Sequence, residues 1–267
     1  MKIGIIGYGH LGKAFVRGLV LTGFRQSDIV INARTEKTRD SVREEFTDVY
    51  VTGSKEELVD LADVVVFIVE PIHAKEVLSE IKDYNIDGKI LISFMAGITL
   101  AEIRNVLGEK QNAVKLARVM PNIAIQDGNG VIGITYEDAE NGALQEVLGV
   151  FCKLGCVWKL DENALNAITV TAASGLAFAA SLMDSYQKAC NTLFHNEEIS
   201  KEITLRVFEN AIDMVKKEGC SFEDIVRRIT TKGGTTEAGM QHLNPEQITE
   251  NLEICMEKSY EKTRKII

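Results

Sequence analysis

The chain opens on Lys2-Ile3-Gly4-Ile5-Ile6-Gly7-Tyr8-Gly9-His10-Leu11-Gly12, and this run constrains the fold more than any other. A short apolar stretch ends in Gly-x-Gly-x-x-Gly, and an apolar-periodic stretch (Leu11, Ala14, Phe15, Gly18, Leu19) follows at once. Strand, tight turn and helix in that order form the context in which a glycine pattern reads as a dinucleotide-binding fingerprint. Gly7 permits the turn, Gly9 lets the backbone approach a pyrophosphate, and Gly12 lets helix pack on strand. The N–H groups and positive dipole end of the new helix then face the phosphates.

The base-side ribose is expected about twenty residues further on, at the end of the second strand. An NAD-selective site places a carboxylate there for the 2′-hydroxyl. This chain reads Ile29-Val30-Ile31-Asn32-Ala33-Arg34-Thr35, with Lys37 and Arg39 close behind. Arg34 offers a planar fork suited to a 2′-phosphate and Thr35 a hydroxyl donor, so NADP(H) is expected over NAD(H).

Composition excludes several classes. The formal charge of −9 opposes a general nucleic-acid binder, whose phosphate contacts need a basic face. No apolar stretch is read as approaching a membrane span. A strand starting at Ile3 leaves no room ahead of it for a signal peptide, so a cytoplasmic location is expected. The five cysteines (Cys152, Cys156, Cys190, Cys220, Cys255) show no paired C-x-x-C spacing and read as reduced thiols. The histidines (His10, His73, His195, His242) are scattered, so no metal site is expected.

The first half alternates β-rich runs with helical segments, the signature of a parallel sheet with crossover helices. Asp63 to Val69 and Lys89 to Met95 read as buried strands, with further strands at Val114 to Val119, Gly130 to Thr135 and Cys156 to Leu160. Ser54 starts a helix as N-cap, with Glu57 closing a capping box. After Asp161 the texture changes. Leu165 to Cys190 is apolar on nearly every side and reads as one helix buried by others. A one-sided stripe from Ile199 to Val215 marks the next helix, ending at Gly219; Ser221 and Asn244 start two more. The expectation is an α/β chain: a Rossmann dinucleotide-binding domain over residues 1–160 and an all-helical domain over 161–267. The apolar helix exceeds what a small helical domain buries alone, which points to a dimer interface.

Three segments together bring a family into view: Gly7-x-Gly-x-Leu-Gly12, Ala117-Arg118-Val119-Met120-Pro121-Asn122, and Ile229-Thr230-Thr231-Lys232-Gly233-Gly234-Thr235-Thr236-Glu237-Ala238-Gly239. In this order and spacing the chain resembles pyrroline-5-carboxylate reductase from end to end. The resemblance implies reduction of a cyclic imine acid, 1-pyrroline-5-carboxylate, to L-proline with NAD(P)H, a step of proline biosynthesis, and a helical domain that pairs into homodimers or larger homo-oligomers. It places Gly7, Gly9, His10, Leu11 and Gly12 at the pyrophosphate and Asn32, Arg34 and Thr35 at the adenosine ribose. Val69, Glu70 and Pro71 would line the cofactor, as would Ala96 and Gly97. Met120, Pro121 and Asn122 would lie beneath the nicotinamide and substrate. Thr236 would hydrogen-bond the substrate ring nitrogen, the backbone of Gly233, Gly234 and Thr235 would hold the carboxylate, and Ser174 would contact the substrate.

The chain departs from the family pattern at several of these places. Glu70-Pro71 stands where Lys-Pro is usual, and Met120-Pro121-Asn122-Ile123-Ala124 where Met-Pro-Asn-Thr-Pro is usual. Ala172-Ala173-Ser174-Gly175-Leu176-Ala177-Phe178 replaces Ser-Gly-Ser-Gly-Pro-Ala-Tyr, and Thr231-Lys232-Gly233-Gly234 replaces Ser-Pro-Gly-Gly. Two other readings stay open. A non-catalytic nucleotide-binding paralogue fits the altered substrate segments. A β-hydroxyacid dehydrogenase would need a lysine on the long helix with an asparagine four residues later, whereas Lys188 and Asn191 are three apart.

Overall fold

The computed structural model describes residues 1–112, 114–137 and 142–263; residues 264–267, the end of the expected helical domain, lie outside the described residues. The sheet unit runs β1 (Ile3–Ile6), α1 (His10–Leu21), β2 (Ile29–Asn32), α2 (Glu36–Glu45), β3 (Tyr50–Thr52), α3 (Lys55–Leu61) and β4 (Val64–Phe67). It continues through α4 (Ala74–Ile81), β5 (Ile90–Ser93), α5 (Leu100–Leu107), β6 (Lys115–Pro121), β7 (Gly130–Tyr136), α6 (Gly142–Phe151), β8 (Gly155–Lys159) and α7 (Glu162–Ile168). The strand order is β3-β2-β1-β4-β5-β6-β7-β8, so the chain reverses direction across the sheet between β1 and β4. In open α/β sheets that reversal opens a crevice at the carboxyl ends of the strands.

Alternation along the central strands covers both faces. Val64 and Val66 join Phe15 of α1 and Phe151 of α6 in one cluster; Val65 and Phe67 join Leu58 of α3 and Leu78 of α4 in the other. Each such side chain removed from water contributes about 1.5–3 kcal/mol, which makes the strands unbroken apolar runs. Three expectations need correction. β7 runs antiparallel to β6, because the link between them is a single 3-10 turn (Ile123–Asp127) closed by Gly128 in the left-handed region rather than a crossover helix. Ser54 does accept from the Glu57 N–H, at 3.1 Å, but the Glu57 carboxylate turns to Tyr50 and Thr52, so the reciprocal half of the capping box is not made.

The third concerns the long apolar segment. A π-helical stretch (Thr169–Ser174) interrupts it between α7 and α8 (Gly175–Phe194). Helix nonetheless continues from Glu162 to Phe194, with a window of mean hydropathy 1.5, long and apolar enough by composition to cross a membrane. The expectation of no such stretch is thereby corrected. Gly133 of β7 lets α7 lie against the sheet: a Cβ there would sit 2.7 Å from Ile168 Cγ2.

Two compact units emerge, Met1–Ser174 with the chain end from Lys258, and Gly175–Glu257. The second contains α8, α9 (Glu197–Glu218), α10 (Phe222–Ile229), α11 (Thr235–Met240) and most of α12 (Pro245–Thr263). Their boundaries follow the expected chemistry. Gly219, with φ 67°, ends α9. Ser221 and Asp224 form a complete capping box on α10, and Asn244 Oδ1 accepts from the Gln247 N–H at 3.1 Å. Tyr186 of α8 meets Phe208 of α9 edge to face at 5.5 Å. No residue of α8 is buried within one chain, and Leu176, Leu182, Leu193 and Phe194 are exposed.

Candidate functional site

At the carboxyl end of β1 the three glycines do three different things. Gly7 has φ +105°, and a Cβ there would stand 2.2 Å from the Ile68 carbonyl oxygen of the neighbouring strand end. A Cβ on Gly12 would stand 2.4 Å from the Gly7 carbonyl oxygen, so α1 turns up directly against the strand it follows. Gly9 is the N-cap of α1, and a Cβ there would meet nothing within 4 Å: its missing side chain opens onto the crevice. No acidic residue occupies the first turn of α1, which leaves its positive end unopposed. His10 is exposed and Leu11 half-buried in that turn.

The crevice is a cleft of about 510 Å³. Gly7, Gly9, Asn32, Arg34 and Thr35 line it from the carboxyl ends of β1 and β2 and the turns after them, and Val69 and Glu70 from the turn after β4. Sequence reading missed Tyr8, Thr38, Lys55, His73 and Glu76, which also line it; they come from the turns after β1 and β4 and from the first turns of α2, α3 and α4, whose directions only the folded chain sets. A hollow of about 610 Å³ at the opposite strand ends is lined by Glu56, Glu57 and Asp60, acids that repel a phosphate.

The turn after β2 is built to present Arg34. Thr35 caps α2, its Oγ1 accepting from the Thr38 N–H at 3.2 Å. Arg39 Nη1 donates to the carbonyls of Ala33 (2.8 Å) and Arg34 (3.2 Å), and its Nε to Glu36 at 3.0 Å. Hydrogen bonds from Arg39 and Arg43 hold the Glu36 carboxyl below the usual range, so this acid is committed to the brace. The Arg34 side chain is exposed and has no ion-pair partner among the described residues. Asn32 is buried, with Nδ2 donating to the Thr52 carbonyl at 3.3 Å. The hydroxyl of Tyr8 is buried without a hydrogen-bond partner, and burial pushes its pKa up.

Pro71 opens a 3-10 turn after β4. Ala96 and Gly97 follow β5, half-buried, with Gly97 at φ +75°. Met120 and Pro121 end β6 and are buried. Asn122 comes next, with Oδ1 accepting from the Val131 N–H (3.1 Å) and Nδ2 donating to the Ala172 carbonyl (3.3 Å). Ser174 closes the same π-helical stretch, half-buried. Beside them Arg118, 1% exposed, donates through Nη1 to Glu162 at 2.9 Å, and the same carboxylate oxygen accepts from the Leu100 N–H at 2.7 Å.

The Gly-Gly-Thr-Thr segment belongs to the helical unit. Gly233 takes φ +76° in the turn before α11. Its N–H donates to Glu237 Oε2 at 2.8 Å, and the Gly234 N–H to the Thr231 carbonyl at 2.9 Å. Thr235 and Thr236 form the first turn of α11, with Thr236 half-buried.

Residues 162–266 match the family model for pyrroline-5-carboxylate reductase dimerisation, and residues 2–97 that for NADP oxidoreductase, coenzyme F420-dependent. The pyrroline-5-carboxylate reductase of Aquifex aeolicus is 27% identical over 271 residues, covering 100% of this chain and 97% of the relative. Over its whole length the chain is similar to the pyrroline-5-carboxylate reductases. Pyrroline-5-carboxylate reductase 2 of Bacillus subtilis is likewise 27% identical, over 99% of this chain and 95% of its own. The fold agrees with the reductase of Plasmodium falciparum, solved with NADP bound, at TM-score 0.88 and 23% identity over 100% of this chain and 98% of that one. It agrees with the Streptococcus pyogenes reductase at TM-score 0.87 and 24% identity, covering 99% and 98%. The long apolar helix thus falls within a family dimerisation domain, which supplies a protein partner for its surface.

Proposed function

We infer that this chain is an NAD(P)H-dependent oxidoreductase that reduces the C=N bond of a cyclic imine acid, 1-pyrroline-5-carboxylate to L-proline, with NADP(H) as the favoured cofactor. The observation that carries the reading is the end-to-end likeness to curated reductases, glycine fingerprint and helical segment included. The cleft at the ends of β1, β2 and β4 suits a dinucleotide: Gly9 leaves room for a diphosphate and Arg34 offers an uncommitted fork for a 2′-phosphate. When bound, the reduced nicotinamide supplies the hydride.

Imine reduction asks the chain mainly for alignment, because a protonated C=N is already a good electrophile. In this reading His10, Leu11 and Gly12 present the first turn of α1 to the diphosphate, while Pro71, Ala96 and Gly97 border the cofactor. Met120 and Pro121 support the nicotinamide. Thr236 donates its hydroxyl to the ring nitrogen, Ser174 contacts the substrate, and the Gly233-Gly234-Thr235 turn holds the carboxylate. The Gly233 N–H is engaged by Glu237 and the Gly234 N–H by the Thr231 carbonyl, so that grip falls to Thr235 at the start of α11. The molecule is a homodimer built from the helical segment, whose α8 has no buried residue in a single chain. Its cysteines form no disulfide among the described residues, and the reading includes a cytoplasmic location.

An NADPH-oxidation assay with pyrroline-5-carboxylate and a panel of cyclic imines tests the reaction. Thr236→Val keeps shape and removes the donor, so turnover should fall about ten- to a hundredfold while NADPH binding persists. A wild-type chain that binds NADPH and reduces no cyclic imine acid would establish the second reading, a non-catalytic nucleotide-binding paralogue. The altered substrate segments, Ala172-Ala173-Ser174 and Thr231-Lys232-Gly233 among them, are what favours that reading. Light scattering at low micromolar concentration should show at least two chains per particle.

A further inference from the structure

Asn122 is 6% exposed, and its carboxamide bridges two backbone elements: the Val131 N–H of β7 and the Ala172 carbonyl of the π-helical stretch. In a π turn each N–H reaches back five residues instead of four, which disturbs the carbonyl ladder on either side. Carbonyls left out of the ladder take other donors where the fold supplies them. Three side chains donate to carbonyls of this stretch and of the turn before it. Thr169 Oγ1 donates to the Leu165 carbonyl at 2.8 Å and Thr171 Oγ1 to the Ala167 carbonyl at 2.9 Å. Those two belong to the helix itself; Asn122 reaches it from the end of β6.

We propose that Asn122 is a positioning residue for the reduction: by tying the Ala172 carbonyl to the end of β6 it holds the π turn, and with it the hydroxyl of Ser174 two residues on. The inference rests on the reading above, in which Ser174 contacts the substrate. Loss of the π turn would rotate Ser174 about the helix axis by one residue's worth, about 100°, and carry its hydroxyl off the strand end. Asn122 does this through its carboxamide oxygen and one N–H, both bound to backbone. Val170, 2% exposed in the same stretch, anchors the turn in the core but supplies no donor.

Asn122→Asp keeps the shape and the acceptor for Val131 while replacing the donor with an oxygen that faces the Ala172 carbonyl. Turnover per titrated cofactor site should fall about ten- to a hundredfold, as for a misplaced catalytic contact, with the NADPH Kd within about twofold of wild type. Adding Ser174→Ala to this variant should bring less than a further twofold loss, because both changes act through one hydroxyl. Amide hydrogen exchange at residues 169–175 should quicken at least about tenfold, with β1, β4 and β5 unchanged. A stability role alone would reduce the folded fraction and leave turnover per site intact. Wild-type turnover in the folded variant, multiplicative losses, or unchanged exchange would each overturn the proposal. If Asn122→Asp does not fold, Asn122→Ser is read by the same measures. A wild-type chain without imine turnover defeats the functional reading instead, and the exchange experiment still decides whether Asn122 holds the π turn.

Discussion

Arg39 Nη1 donates to the Ala33 carbonyl at 2.8 Å, a bond from the first turn of α2 back to the end of β2. Because Arg39 braces that turn, Arg34 between them is left with its guanidinium free. The consequence is a division of labour between two arginines that sequence alone presents as neighbouring charges. Arg34→Ala should weaken NADPH by roughly 1–3 kcal/mol and leave NADH nearly unchanged. Arg39→Ala should weaken both nucleotides and lower the melting temperature. Fluorescence titration with the two cofactors checks this, and an equal loss for both in Arg34→Ala would sink the assignment.

Gly7 and Gly9 should separate fold from binding. Gly7→Ala places a methyl 2.2 Å from a backbone oxygen at φ +105°, and neither strain is relieved by moving a side chain. A destabilisation of about 3 kcal/mol or more is expected in denaturant unfolding. Gly9→Ala meets no atom within 4 Å, so stability should stay within about 0.5 kcal/mol while NADPH affinity drops. Unaltered affinity in Gly9→Ala would show that the diphosphate does not approach this turn.

Arg118 is 1% exposed, and its Nε and Nη2 are buried without partners; the pair with Glu162 is what makes the charge tolerable there. Arg118→Ala opens a cavity and strands a carboxylate that also caps the Leu100 N–H. The loss should be about 3 kcal/mol, below the full range for buried pairs because Glu162 is 32% exposed. Arg118→Met combined with Glu162→Gln should cost about 1 kcal/mol or less. Urea unfolding of both variants tests the contrast, and equal losses would place the effect in packing alone.

Acid should loosen α10. The Asp224 carboxyl is held at about 2 by hydrogen bonds from the Ser221 backbone and hydroxyl and from Arg227, against about 3.9 in an unfolded chain. A depressed carboxylate contributes stability that is present above pH 4 and lost as pH falls through 4 towards 2. Asp224→Asn should therefore destabilise the protein slightly at pH 6 and flatten its decline between pH 4 and 2. Thermal unfolding followed by circular dichroism reads both effects. Glu36, Glu57 and Asp213 are depressed too, so part of the wild-type decline should persist. A variant whose acid decline matches wild type would remove the capping box from the account.

Much of this molecule is written in local chemistry. The apolar runs of β1, β4 and β5 can only be strands covered on both faces, and a glycine fingerprint between strand and helix leaves one conformation for the turn. Helix ends at Gly219, Ser221 and Asn244 follow from capping bonds that span three or four residues. The tertiary structure decided what depends on residues far apart in the chain. The direction of β7 was set by a short 3-10 link and its pairing with β6, which no periodicity encodes. The Glu57 carboxylate chose Tyr50 and Thr52 over its own cap because β3 lies within reach. The π turn at Thr169–Ser174 reads locally as ordinary helix, since its apolar content and alanines suit either register. Its register is settled by a donor fifty residues away in the chain, Asn122 against Ala172. A backbone carbonyl in a buried segment takes whichever partner the fold brings to it.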